Sequence, residues 1–355
     1  MTVKTKIVLL FLAGFMGYFV LTAFVIKQSN IDSKTKVSDV LVSLGDEKSL
    51  HFIPFKELDS NKVKAGFNLV TTGFMNSKSK RQSKHFVCTD CHNIGREDPD
   101  LTKSDPETRL KYVSENGLKF LPATTLYGTV NKSHWYNEDY FKKYGDLVVP
   151  ARDTLENAVQ LCAVVCSQGR ALTEVEMEAM MHFLNSIGYS VEDLNVTKKE
   201  NSQIANFNEN SKKEVIELIK TKYLDYSPAT FMDPIEMEKR QQGKVDKTGN
   251  VLRGMKIFEL SCLTCHKEGG VTNYKLHTDI LTFNHLKYWA KTDKVFSVYD
   301  ITRKGTYSKN GYKPYMPNFT KERLSDQQIE DLMSYIAYRF SEKDPKPIRK
   351  GVRKF

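Results

Sequence analysis

Beyond residue 26 the chain has no second long apolar run, which excludes a path that crosses a bilayer repeatedly. No alternation of strand and helix patterns is visible either, so the βαβ setting in which a thiol-disulfide exchange pair ordinarily sits is missing. Cysteines are sparse, six in 355 residues, but they fall in three pairs. What is present is length for two domains of ordinary size and 40% hydrophobic residues, enough for each to bury a core. The formal charge of +10 favours acidic partners or anions before contact, although lysine-rich faces also simply keep a domain soluble.

The one apolar run is IVLLFLAGFMGYFVLTAFVI, residues 7–26, preceded by Lys4 and Lys6. Twenty uncharged residues suffice to span the hydrocarbon core as a helix. A secretory signal would have a shorter apolar stretch, about 7 to 15 residues, ending in small residues, whereas Phe24, Val25 and Ile26 lead straight to Lys27. The expectation is an uncleaved anchor over residues 1–27, with a cleaved signal and a soluble periplasmic product as the alternative. The lysines keep the N-terminus inside and export the rest of the chain, to the periplasmic side of the inner membrane. Nucleic acid is not a partner expected of an exported chain. Residues 28–60 read as a tether along which SLHFIPFKEL packs.

Two cysteine pairs share one pattern, Cys88-Thr89-Asp90-Cys91-His92 and Cys262-Leu263-Thr264-Cys265-His266. Thiols three positions apart reach the two vinyl groups of one haem, and the adjacent histidine turns its imidazole onto the iron. A zinc site would need two more ligands near each motif, and a redox pair does not explain the histidine occurring twice. The reading is two covalently attached haems c, held by Cys88, Cys91, Cys262 and Cys265, with His92 and His266 on the irons. The acidic propionates of bound haems would offset part of the positive charge.

Similar surroundings recur around each motif. Asn61 to Phe74 and Val251 to Leu260 carry apolar residues at helical spacing upstream, and Thr173-Glu174-Val175-Glu176 and Ser325-Asp326-Gln327-Gln328 are capping-box signatures that open a closing helix downstream. A helix before the motif, a loop, and a helix at the end resemble the small class I cytochrome c fold, used twice. The fold expected is therefore all-α: an N-terminal transmembrane helix followed by two cytochrome c-like domains, 61–190 and 248–342. Residues 191–247 read as a polar linker with EVIELIKTKYL as a short helix, and 343–355 as a solvated basic tail.

The second axial ligand decides what each iron does. In the second module Tyr315-Met316-Pro317-Asn318 precedes the closing helix, and Met316 is assigned as the distal ligand, with His277 and His285 the alternatives and a core role for Met316 the plain one. The first module has no Met-Pro loop. It has LENAVQLCAVVCSQGRALTEVEMEAMM, with two further cysteines, and a thiolate there would stabilise ferric iron and lower its potential. The segment resembles the cysteine-ligated module of thiosulfate dehydrogenases and SoxA-like sulfur-oxidation cytochromes, through Cys162, Gly169-Arg170 and Glu176-Met177. Phe52-Ile53-Pro54, Leu126-Tyr127-Gly128-Thr129, Tyr136 and Tyr140 are further matches.

That resemblance implies Cys162 as the distal ligand and as the catalytic residue of any sulfur chemistry. The chain departs from the pattern at Val165, Cys166 and Gln168, which stand where an arginine, a serine and an asparagine are usual. A Cys162 to Cys166 disulfide, ligation by Cys166, and ligation by Met177, Met180, Met181 or His182 remain open. The function expected is electron transfer from a thiolate haem to a His/Met haem, with a redox protein partner (a cytochrome, an oxidase or a respiratory complex). Oxidation of a small sulfur anion such as thiosulfate is an added reading, and a carrier without substrate chemistry is the alternative. A dihaem peroxidase would need an open iron with a distal acid or base, and none is evident.

Overall fold

The computed structural model describes residues 31–46, 54–231, 248–272, 275–276, 297–306 and 315–341. Among them the chain is helical, with no β-strand and only two isolated bridges, Lys36 to Ser190 and His134 to Tyr226. The run 7–26 lies outside the described residues, and among the described ones no helix is long and apolar enough to cross a membrane.

In chain order the helices are α1 (Val37–Ser43), α2 (Ser60–Thr72), α3 (Pro106–Glu115), α4 (Glu138–Tyr144), α5 (Leu155–Leu161) and α6 (Glu174–Ser186). They continue with α7 (Lys198–Ala205), α8 (Lys212–Lys220), α9 (Val251–Ile257), α10 (Val298–Lys304) and α11 (Asp326–Ser341). The sequence explains their ends. Asp59 caps α2 by accepting from the amides of Asn61 and Lys62, and Gly73 closes it in the left-handed region at φ 78°. The expected capping boxes form: Thr173 and Glu176 exchange bonds at the start of α6, and Ser325 and Gln328 do so at the start of α11.

Two crossings of a first and a last helix organise the molecule, α2 against α6 and α9 against α11. Each needs a glycine. A Cβ on Gly66 would collide with the carbonyl oxygen of Ala179 and lie 2.7 Å from Phe183 Cβ; one on Gly254 would collide with the carbonyl oxygen of Asp331 and lie 2.8 Å from Tyr335 Cβ. The same device serves both crossings.

Around the first crossing Leu69, Val70, Leu155, Met180, Phe183 and Leu184 form a core; burying each such side chain contributes about 1.5–3 kcal/mol. The residues read as tether and linker meet in a second core, where Val37, Val40 and Leu41 of α1 contact the cluster of Ile204, Val215 and Ile219 from α7 and α8. Backbone bonds from Val37 N to Tyr189 O (2.8 Å) and from Val191 N to Thr35 O (3.0 Å) tie the two segments together. In the third core Leu110, Val113 and Phe120, from α3 and the loop after it, are buried with Ile257, Phe258, Leu332 and Ile336.

Beside that core lies a buried ion triad. Arg323 pairs with Glu97 at 2.6 Å, Arg109 lies 3.7 Å from the other oxygen of Glu97, and all three side chains are almost wholly buried. Arg109 stacks its guanidinium 3.9 Å over the Phe120 ring and donates to the carbonyl of Arg323, while Arg323 also donates to Leu121 O at 3.1 Å. Burial alone would push Glu97 up; Arg323 and Arg109 outweigh it and hold the carboxyl at about 2.

Candidate haem centres

Both Cys-x-x-Cys-His segments are closed by a bond from the histidine amide back to the first cysteine. The amide of His92 bonds to Cys88 O at 2.9 Å, and that of His266 to Cys262 O at 3.0 Å. Each turn holds its two thiols and its imidazole in a fixed relation, as a covalently mounted porphyrin requires. The second motif begins on a π-helical turn, Phe258–Cys262, that prolongs α9.

The first motif opens into a cavity of about 660 Å³, within the range of about 300–1,000 Å³ typical of cofactor pockets. Its wall is mainly apolar and includes Leu69, Leu155, Leu172, Met180 and Leu184. Cys88, Cys91 and His92 line it on one side. His92 Nδ1 is 2.5 Å from Thr124 O, which assigns that nitrogen the proton and leaves the lone pair on Nε2, the nitrogen that would hold an iron.

Cys162 and Cys166 line the same cavity, on a second π-helical turn, Cys162–Cys166, that prolongs α5. Gln82 and Ser83 hold this turn. Gln82 Nε2 donates to Ala163 O and to Arg170 O, both at 2.8 Å, and Ser83 Oγ donates to Ser167 O at 2.5 Å. The Gly169-Arg170 and Glu176 elements then join up, because Arg170 grips Glu176 through both nitrogens at 2.7 and 2.5 Å, beside the Thr173 cap. Gln168 sits at φ 53°, in the left-handed region where asparagine is the more usual non-glycine residue.

A hydrogen bond between the two thiols pushes Cys162 far up and draws Cys166 down, so the pair carries one negative charge before it carries two. Tyr136 and Tyr140 form the wall beside them and pack edge to face at 5.0 Å; burial, then the nearby Cys166, raises both phenols, which stay neutral. His182 is elsewhere, stacked 3.8 Å from the Phe55 ring and accepting from Asp59 N, and Met181 is core; of the helix residues weighed as ligands, only Met180 touches the cavity.

The cavity is completed by residues close before α11. Tyr315, Pro317, Asn318, Thr320 and Arg323 line it, and Tyr315 packs edge to face on Phe86 at 5.4 Å. The triad sets two guanidinium groups against one carboxylate, and Arg323 Nε is buried without a partner. Surplus positive charge and an unused donor on the wall suit the carboxylates of a haem. Cavity size, apolar lining, thiol pair, oriented histidine and cationic wall together fit the group.

His277 and His285 lie outside the described residues. Met316 is not among the residues lining the first cavity, although both its neighbours are; its backbone is locked to Thr306 by reciprocal bonds of 2.8 and 2.9 Å. The two motifs are near one another: the charge of Cys265 acts on Cys91, and Phe120 N bonds to Leu260 O at 3.0 Å.

Residues 251–339 match the family model described as Cytochrome c. The chain carries a cytochrome c domain. A domain of this family implies covalently bound haem c and an electron-carrying protein that passes electrons to redox partners. The match covers the second motif, His266 and Met316, and not the first. No curated protein and no solved structure matches the chain.

Sequence reasoning missed three parts of the first site: the Gln82 and Ser83 brace, the Glu97–Arg109–Arg323 triad, and the wall lent by residues 315–323. None forms a local pattern, since each joins residues far apart in the chain.

Proposed function

We propose that the chain is a dihaem c-type cytochrome in which electrons pass from a haem on Cys88, Cys91 and His92, with Cys162 as distal ligand, to a haem on Cys262, Cys265 and His266, with Met316 as distal ligand. The observation that carries this reading is the sulfur-bearing turn that shares one 660 Å³ cavity with Cys88, Cys91 and His92. When bound, the haems would supply one-electron storage. The Thr124 carbonyl fixes the His92 ring; iron would take Cys162 as the thiolate although Cys166 ionises first in the free pair, an anionic sulfur donor would favour ferric iron and a low potential, and the Met316 thioether would favour ferrous iron and a higher one. The bias therefore runs from the first module to the second. We place this protein on the periplasmic side of the inner membrane, anchored by residues 7–26.

Electron paramagnetic resonance on the wild type and on Cys162→Ala tests the assignment. A low-spin thiolate signal that vanishes in the variant supports it; an unchanged spectrum defeats it. The sulfur-oxidation reading rests on the joined Cys162, Gly169-Arg170 and Glu176 elements and on the basic charge, which attracts small anions. Thiosulfate added anaerobically should reduce the haems, and absence of reduction leaves a carrier without substrate chemistry.

A further inference from the structure

Beyond its place in the proposed site, the turn Cys162–Cys166 has a property the electron-transfer reading does not use: two thiols, not one. Both face the cavity and are hydrogen-bonded to each other, and both are free in the dithiol state. Four residues advance about 6 Å along an α-helix. Disulfides need Cα atoms about 4.4–6.8 Å apart with the Cβ vectors converging. The turn is π-helical, with Ser167 N bonded to Cys162 O at 2.8 Å, and this wider coil sets the fifth residue above the first with a smaller rise than an α-turn gives. The two positions thus lie within the Cα separation that a disulfide spans.

The turn is also braced. The bonds from Gln82 and Ser83 go to the carbonyls of Ala163 and Ser167, so the backbone is held by groups that oxidation of the thiols would leave in place.

We propose that Cys162 and Cys166 form a thiol-disulfide couple that exchanges with small disulfides. The thiolate of one cysteine attacks a sulfur of the incoming disulfide, forming a mixed disulfide and releasing one thiolate. The second cysteine then attacks the protein-bound sulfur, closing the Cys162–Cys166 bond and releasing the second thiolate. Two protein thiols are oxidised, one external disulfide is reduced to two thiols, and the two protons pass to the released thiolates, so atoms and electrons balance. In the disulfide form neither sulfur is anionic, so the couple also determines whether a thiolate is available on the distal side of the cavity.

The test uses the purified holoprotein equilibrated with oxidised glutathione or with dithiothreitol, alkylated in denaturant so that a sulfur held by iron also reacts, and cut with trypsin. Cleavage after Arg152 and Arg170 leaves both cysteines in one peptide, Asp153–Arg170. The dithiothreitol sample should carry two alkyl groups on that peptide; the glutathione sample should carry none and be lighter by two hydrogens than the free dithiol. In Cys166→Ser, whose hydroxyl preserves the polar contact, the intramolecular bond is lost and a glutathione adduct on Cys162 takes its place. Two alkyl groups in the wild type under every condition, or stable glutathione adducts on both cysteines, overturns the proposal. Because the readout is the peptide mass, its failure is distinct from a failure of the haem assignment, which the absorption spectrum of the same sample reports.

Discussion

Replacing Arg323 by leucine probes the buried ion triad, because the substitution removes one of the two cations that neutralise Glu97 and keeps an apolar bulk. Glu97 is 1% exposed, and its closest ionic contact is the 2.6 Å bond from Arg323; the partners left to it are Arg109 at 3.7 Å, Asn93 and the Thr125 amide. Breaking a buried pair by removing one partner costs about 3–5 kcal/mol. A second route gives a similar size: holding Glu97 at about 2 instead of the usual 4.5 is worth about 3 kcal/mol, most of it from Arg323, the larger of the two attractions.

The pH dependence has the same origin. The folded carboxyl lies below its unfolded value, so its contribution is complete above about pH 4.5 and disappears as pH falls towards 2. Guanidinium denaturation followed by far-ultraviolet circular dichroism should show Arg323→Leu less stable than wild type by about 3–5 kcal/mol at pH 7, with the gap narrowing below pH 4.5. A gap under about 1 kcal/mol at neutral pH, or one that widens on acidification, would refute the argument.

At the helix crossings, Gly254→Ala and Gly66→Ala each drive a Cβ into a backbone carbonyl and should cost about 1–3 kcal/mol by the same assay; tolerance of both would show that the helices are not held that closely. Gln82→Leu removes the bonds from its amide to Ala163 O in the Cys162–Cys166 turn and to Arg170 O beyond it, so the distal thiolate signal in electron paramagnetic resonance should broaden or split while the haem count is unchanged; an identical spectrum would mean the brace does not position the sulfur. Met316→Ala should lower the potential of the second haem in a spectroelectrochemical titration and leave the first unmoved, and an unmoved second potential would remove Met316 as its ligand.

Much of the fold was legible because it rests on local signals. The capping boxes at Thr173 and Ser325 and the apolar spacing upstream of each motif correspond to α6, α11, α2 and α9. The Cys-x-x-Cys-His patterns carried their chemistry in five adjacent residues. What was hidden is long-range. KKENSQIANFNENSKK is polar because α7 and α8 are short and bury little, mainly Ile204, Val215 and Ile219, so the composition of a flexible segment coexists with a packed core. Arg109 and Arg323 look like solvated charges in sequence, since nothing near either shows that both converge on Glu97. The π-helical form of Cys162–Cys166 was equally invisible, because a spacing of four says nothing of how the backbone is wound between the two cysteines.

The central claim is that two porphyrins are mounted on one chain, and counting them tests it most directly. The alkaline pyridine spectrum of purified protein, set against protein concentration and intact mass, should give two covalent haems in the wild type and one in a Cys88→Ala, Cys91→Ala variant. One haem in the wild type, unchanged by that double substitution, would contradict the account.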